Sequence, residues 1–231
     1  MKSDFMGNLS TIIVPGDVYF VTTTVIDCTK IFIEDKYCQI IIDNLRFYRE
    51  KYGFKLYSFV VMPNHVHLLI LPKFDEVGSK EPIFTDRSSQ QPGHVGSLEP
   101  TKVDPQTVHV GSLEPTRAKT ISDIMRDLKK YTAVQIIKQL KIDKREDLLK
   151  IFSHYAQEYH PNKRRKYQVW MDGFWSTNIY SEKYFNQKLD YIHNNPIRAR
   201  LVKDLAGYPW SSYQNYCCDN SMLLEIDFSE F

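Results

Sequence analysis

No run of apolar residues in this sequence is long enough for a membrane-crossing helix, and Met1 to Gly16 lacks an apolar core behind a basic start. Neither a membrane span nor a secretion leader is therefore expected. Cysteine is scarce, with four residues at positions 28, 38, 217 and 218. No pair has zinc-site spacing, and Cys217 and Cys218 are too close for an ordinary disulfide. This argues against a disulfide scaffold and fits a reduced, cytoplasmic protein. A strong excess of one charge is missing too: 30 Lys and Arg against 28 Asp and Glu leave +2. Composition alone does not demand a polyanionic partner, so the placement of the cations matters more than their sum.

What is present suffices for one well-filled domain: 231 residues, 42% of them hydrophobic. The chain centres on Val60-Val61-Met62-Pro63-Asn64-His65-Val66-His67-Leu68-Leu69-Ile70. Apolar β-formers run into and out of it, so it reads as one strand buried on at least one face and ending at Pro72. Side chains alternate along a strand, which puts His65 and His67 on the same side. Two neighbouring imidazoles suit a divalent metal, although satisfied histidines on an apolar strand give the same pattern.

Before this stretch, Val18 to Val25 is rich in β-branched and aromatic residues and reads as the first strand. From Glu34 to Lys51, Tyr37, Ile40, Ile41, Leu45 and Tyr48 are spaced as a helix face, and Gly53 stops the helix. Strand, helix, strand points to an α+β sheet with helices on one face. From Lys73 to Lys119 no hydrophobic period survives, and this segment reads as a disordered surface insertion. It repeats itself, His94 to Thr101 returning as His109 to Thr116, a pattern expected of duplicated DNA without essential chemistry.

Order resumes with Ile121, Ile124, Leu128 and Tyr131 on one helical face after a cap at Ser122 or Thr120. This spacing makes Tyr131 a core residue. A second helix is expected from Asp143, where Asp143-Lys144-Arg145-Glu146 has capping-box form, with Leu148, Phe152, Tyr155 and Tyr159 on its apolar side. Lys163, Arg164, Arg165 and Lys166 follow beside Tyr167, Trp170, Phe174 and Trp175. Cations neutralise phosphates and rings stack on unpaired bases, so this stretch is a candidate nucleic-acid surface, although its rings could equally be core.

A further helix is expected from about Ser181 to Asn194, capped by Ser181 and ended by Pro196. Phe185, Leu189 and Ile192 form its buried ridge, with Gln187, Tyr191 and Asn195 as a polar stripe beside it. Tyr191 thus sits at the rim, where a hydroxyl could reach a site on the sheet. His193 and Asp190 lie roughly 160° and 100° around the helix from it, so neither is a natural neighbouring base.

Two separated motifs carry a family resemblance. Met62-Pro63-Asn64-His65-Val66-His67 resembles the metal-binding signature of the HUH single-strand DNA nucleases. Asp190 to Val202, followed by Tyr208-Pro209-Trp210-Ser211-Ser212-Tyr213, resembles the closing signature of the REP-associated tyrosine transposases. The likeness covers most of the chain outside the insertion, from Val18 to about Tyr216. It implies a ferredoxin-like antiparallel sheet that carries the histidines centrally, with the tyrosine helix laid across it. It further implies His65 and His67 as ligands of Mg²⁺ or Mn²⁺, Tyr191 as nucleophile, and Asn195 as third ligand, with Gln187 as the alternative.

The activity so implied is nicking and joining of single-stranded hairpin DNA through a 5′-phosphotyrosine. Phosphate contacts are then expected from Arg126, Lys129, Lys130, Lys163 to Lys166, Arg198 and Arg200, and stacking from Trp170, Trp175 or Trp210. A palindrome-binding protein that does not cut, and a metal phosphoesterase using water, are the alternatives. Family relatives are both monomers and dimers.

Overall fold

The computed structural model describes residues 16–73, 119–159, 161, 165–217 and 223–228. All of them fall within one compact unit. Residues 74–118, with the internal repeat, lie outside the described residues.

Strands β1 (Val18–Thr24), β2 (Lys55–Met62), β3 (His65–Leu71) and β4 (Trp175–Ile179) form one antiparallel sheet in the order β2-β3-β1-β4. Helix α1 (Asp35–Tyr52) joins β1 to β2. Helices α2 (Ile121–Ile142) and α3 (Glu146–Tyr159) lie between β3 and β4, and α4 (Glu182–Arg198) and the short α5 (Tyr213–Cys217) follow. This is the ferredoxin-like topology, with the histidine strand inside the sheet.

The stretch expected to be a single strand is a hairpin. Pro63 and Asn64 form a two-residue turn, so Met62 pairs directly with His65 and β2 returns as β3. Proline has no N–H to give a ladder and presets a turn, a signal that the apolar residues on both sides outweighed in the sequence reading. The turn is anchored from outside: its two carbonyls accept the N–H of Phe32 and of Val25, at 2.9 and 2.8 Å.

Alternation sorts the sheet into two faces, and helices cover both rather than one. Tyr19, Val21, Val66, Leu68 and Ile70 face α1, α2 and α3 in the larger core. Val18, Phe20, Leu69, Val60 and Met62 face the other way and pack with Phe185 and Ile192 of α4. His65 and His67, in step with Leu69, share this second face.

Helix ends show how far local signals reach. Gly53 adopts φ 67°, and its N–H bonds the Arg49 carbonyl at 2.8 Å, stopping α1 as expected. Thr120 caps α2 in a reciprocal box with Asp123. The box expected at Asp143 does not form, because α3 begins at Glu146. Asp143 instead ends α2 and accepts bonds from Tyr37, Gln139 and Lys36. Pro196 does not end α4, which continues to Arg198. A proline in the last turn removes only one ladder bond, and the backbone N–H groups of Ala199, Arg200 and Leu201 still bond back into that turn. Tyr131 is 46% exposed and Tyr159 60%, so neither is the core residue their spacing suggested.

Candidate active site

The site is built from β3 outwards. His67, only 4% exposed, stands opposite Thr22 of β1, whose Oγ1 lies 2.7 Å from His67 Nδ1. Phe20 stacks on the His67 ring at 5.3 Å and 25°. The rings of His65 and His67 are 4.7 Å apart, which confirms that they share a side. Nδ1 of His65 lies 2.7 Å from Asn64 Oδ1. An amide oxygen only accepts, so this nitrogen carries the proton and His65 Nε2 keeps its lone pair. Burial, with His65 and Lys188 adding to it, pushes the His67 imidazole down to about 3. Burial lowers His65 as well. Both rings are therefore neutral at physiological pH, the form that binds metal.

His67 Nε2 is buried with no hydrogen-bond partner among the described residues. A buried ring nitrogen costs free energy when unpaired, and such an orphan beside a second imidazole is what a ligand set leaves open. The donors thus fit a divalent ion: two Nε2 atoms, with both Nδ1 atoms held by Thr22 and Asn64.

Helix α4 brings the tyrosine. Ser181 caps it by accepting the Tyr184 N–H at 3.2 Å, and Phe185 and Ile192 are buried against the sheet. On the helix's other flank, His193 Nε2 sits 3.0 Å from Ser212 Oγ and 3.2 Å from Ser58 Oγ, which fixes the rotation of α4 on β2. With that rotation set, half-buried Tyr191 faces the histidines. Its ring lies 5.3 Å from that of His67 and 5.7 Å edge-on from that of Phe20.

Two cations lie against the ring: Arg198 at 5.2 Å and Lys188 at 5.9 Å from its centroid. Arg198 was expected on DNA, whereas Lys188 was missed. The signal was there, since Tyr184, Lys188, Tyr191, Asn195 and Arg198 recur at three- and four-residue steps along one face. Asn195 is half-buried on this stripe, whereas Gln187 is exposed. Among the described residues no three His, Cys, Asp or Glu side chains come together as a metal-binding group. A third donor drawn from the described residues would therefore be of another type.

The other expected contacts divide. Trp175 is 52% exposed and meets Phe20 edge-on at 5.6 Å, close to the site. Trp170 is not available for stacking. It is 5% exposed, packs on Phe32 and donates its indole N–H to Thr132 at 3.0 Å. Trp210 donates to Asp35 at 3.1 Å. Lys129 does not present a free ammonium, because it is tied to the carbonyls of Met171 and Gly173. Burial lowers it to about 8. Arg126 is paired with Asp123 and Asp127, and Lys130 lies over Tyr131. Both are exposed on α2, beyond the face of the sheet opposite the histidines. Arg165, Lys166 and Arg200 are exposed, and Lys163 and Arg164 lie outside the described residues.

The architecture, a ferredoxin-like sheet with a tyrosine helix across its histidine face, has a counterpart among solved structures. A REP-associated tyrosine transposase bound to a REP hairpin is 16% identical, and the match covers 98% of this chain and 95% of that one with a TM-score of 0.53. That likeness establishes the shared fold. A crystal structure described as that of a candidate transposase from Deinococcus radiodurans R1 is 17% identical over 82% of this chain and 95% of that one, with a TM-score of 0.34. No protein-family model matches the chain, and no curated protein matches it. No helix among the described residues is long and apolar enough to cross a membrane.

Proposed function

We propose that this protein is a cytoplasmic, divalent-metal-dependent enzyme that nicks and rejoins single-stranded DNA flanking a hairpin. Tyr191 is its nucleophile, and His65, His67 and Asn195 hold Mg²⁺ or Mn²⁺. The observation that carries the reading is the meeting of the Tyr191 ring with His67, whose buried Nε2 is unpaired. The solved structure of similar fold, bound to a REP hairpin, supports the choice of DNA.

The phenol oxygen of Tyr191 attacks phosphorus, and a new O–P bond forms as the bond to the 3′-oxygen breaks. The phenolic proton ends on that 3′-oxygen. The products are a 5′-phosphotyrosine and a free 3′-hydroxyl, and the retained phosphoester lets the reverse step rejoin the strand without ATP. A divalent ion, when bound, draws charge from a non-bridging oxygen and orients the phosphorus. Thr22 and Asn64 keep the imidazoles in the tautomer and orientation that this requires. Lys188 and Arg198 set positive charge beside the tyrosine, where it would favour a phosphate.

The test is a denaturing gel with a single-stranded hairpin oligonucleotide, labelled at its 3′ end, and Mn²⁺. The wild type is expected to give a covalent protein–DNA band, and Tyr191→Phe none. Cleavage that persists in Tyr191→Phe would mean that water is the nucleophile. Binding without cleavage by the wild type would make the protein a hairpin-binding module.

A further inference from the structure

Beside the tyrosine runs a row of rings that the strand-transfer chemistry does not use. Tyr180 is 82% exposed, on the link between β4 and α4, and stacks on Tyr184 at 5.1 Å and 26°. Trp175, at the start of β4, is 52% exposed. Single exposed rings are ordinary, but rings gathered next to a candidate active site suit a binding surface.

Between these rings and the catalytic tyrosine stands Lys188. Its ammonium lies 4.8 Å from the centroid of Phe20, 5.0 Å from Tyr184, 5.8 Å from Trp175 and 5.9 Å from Tyr191. No carboxylate among the described residues pairs with it. Arg46, Arg49, Arg126 and Arg145 behave differently, each bridging to an Asp. A cation held among π faces without a counter-ion can still meet an anion, and the flat groups around it suit a ligand that carries its own rings.

We propose that Trp175, Tyr180, Tyr184 and Lys188 form a subsite for unpaired nucleotides of the strand that reaches Tyr191, with bases stacked on the rings and a backbone phosphate on the ammonium. Single-stranded DNA is the occupant that this chemistry fits. A duplex hides its base faces within its own stack, whereas a single strand offers both faces and a phosphate at each step. The inference rests on the DNA-processing reading for its choice of substrate, but it is a statement about binding and is measured without catalysis.

The experiment uses full-length protein carrying Tyr191→Phe, which cannot form the adduct, and a fluorescein-labelled oligothymidylate read by anisotropy. Trp175→Ala and Tyr180→Ala, both at exposed positions, are each expected to weaken binding about tenfold, the scale of one base–aromatic stack. Trp175→Phe keeps a ring and is expected to bind close to its parent. Lys188→Met is expected to flatten the salt dependence of binding by about one phosphate's share. A duplex of the same sequence is expected to be indifferent to the ring substitutions.

Unchanged oligothymidylate binding in both alanine variants overturns the subsite. So does an equal loss in Trp175→Ala and Trp175→Phe, or a duplex that responds as the single strand does. The two readings fail separately. If the protein with Tyr191 intact forms its adduct while the ring variants bind like the parent, only the subsite falls. If no adduct forms yet the ring variants lose single-strand binding, only the catalytic reading falls.

Discussion

The rings of His67 and Tyr191 lie 5.3 Å apart although the two residues belong to a central strand and a late helix, far from each other along the chain. Two independent restraints produce the meeting. Thr22 and Phe20 of β1 fix the imidazole from one side. The buried His193–Ser58–Ser212 cluster fixes the rotation of α4 from the other.

Thr22 is accordingly expected to matter for metal affinity without touching the metal. Thr22→Val removes the hydroxyl that holds His67 Nδ1 and leaves a near-isosteric methyl group. Losing such a supporting bond typically weakens a metal site by about 10- to 100-fold. Titration of Mn²⁺ by calorimetry or electron paramagnetic resonance should show that loss with little change in the circular dichroism spectrum. Unaltered Mn²⁺ affinity in Thr22→Val would remove this hydrogen bond from the account of the site.

Two tryptophans that look alike in sequence should separate in a stability measurement. Trp170 is buried and donates to Thr132, so Trp170→Ala opens a cavity and removes that bond, while the Thr132 hydroxyl keeps its own bond to the Leu128 carbonyl. The expected cost is about 3–5 kcal/mol in urea unfolding. Trp175 stands half in water at the sheet edge, and Trp175→Ala should cost no more than about 1 kcal/mol. Similar losses in the two variants would contradict these placements.

The pair also shows what the sequence could and could not disclose. Period-two and period-3.6 patterns carry burial on one element at a time. They were enough for β1, α1, the Phe185 and Ile192 ridge of α4 and the shared side of His65 and His67. Contacts between elements carry no such signature. Trp170 is core because Phe32 and Thr132 close over it, and Lys129 is not free because the carbonyls of Met171 and Gly173 reach it. Tyr131 stands out of the core although its spacing from Ile124 and Leu128 is right, since the apolar arc of α2 is narrower than three- and four-residue steps imply. Lys188 was overlooked for a related reason. A single lysine on a half-polar stripe looks ordinary until Phe20, from another element, comes beneath it.

Charge pairing predicts which arginines serve DNA. Arg126 is held by Asp123 and Asp127, and its guanidinium is already compensated. Arg198 lies over the Tyr191 ring with no carboxylate partner among the described residues. Each phosphate contact contributes roughly one unit to the slope of log affinity against log salt. Arg198→Ala should therefore lower that slope by about one in binding to a hairpin oligonucleotide, and Arg126→Ala should leave it unchanged. The reverse pattern would place the DNA on the α2 side of the sheet.

The buried histidine of α4 predicts a pH-dependent stability. Burial pushes His193 from 6.5 down to about 4, so it stays neutral in the folded protein where an unfolded chain would take up a proton. Between those two values the unfolded state binds more protons, and stability falls as pH falls. At about 1.4 kcal/mol per pH unit, the interval from 6.5 to 5 amounts to roughly 2 kcal/mol lost by pH 5. His193→Gln cannot titrate in this range, so its stability should drop less than the wild type's when both are unfolded by urea at pH 7 and pH 5 in EDTA. His65 and His67 are present in both proteins, and their contribution cancels in the comparison. Equal drops would mean that His193 is already protonated in the fold. The Ser58 and Ser212 oxygens would then be acting as its acceptors, and the rotation of α4 would depend on that charge.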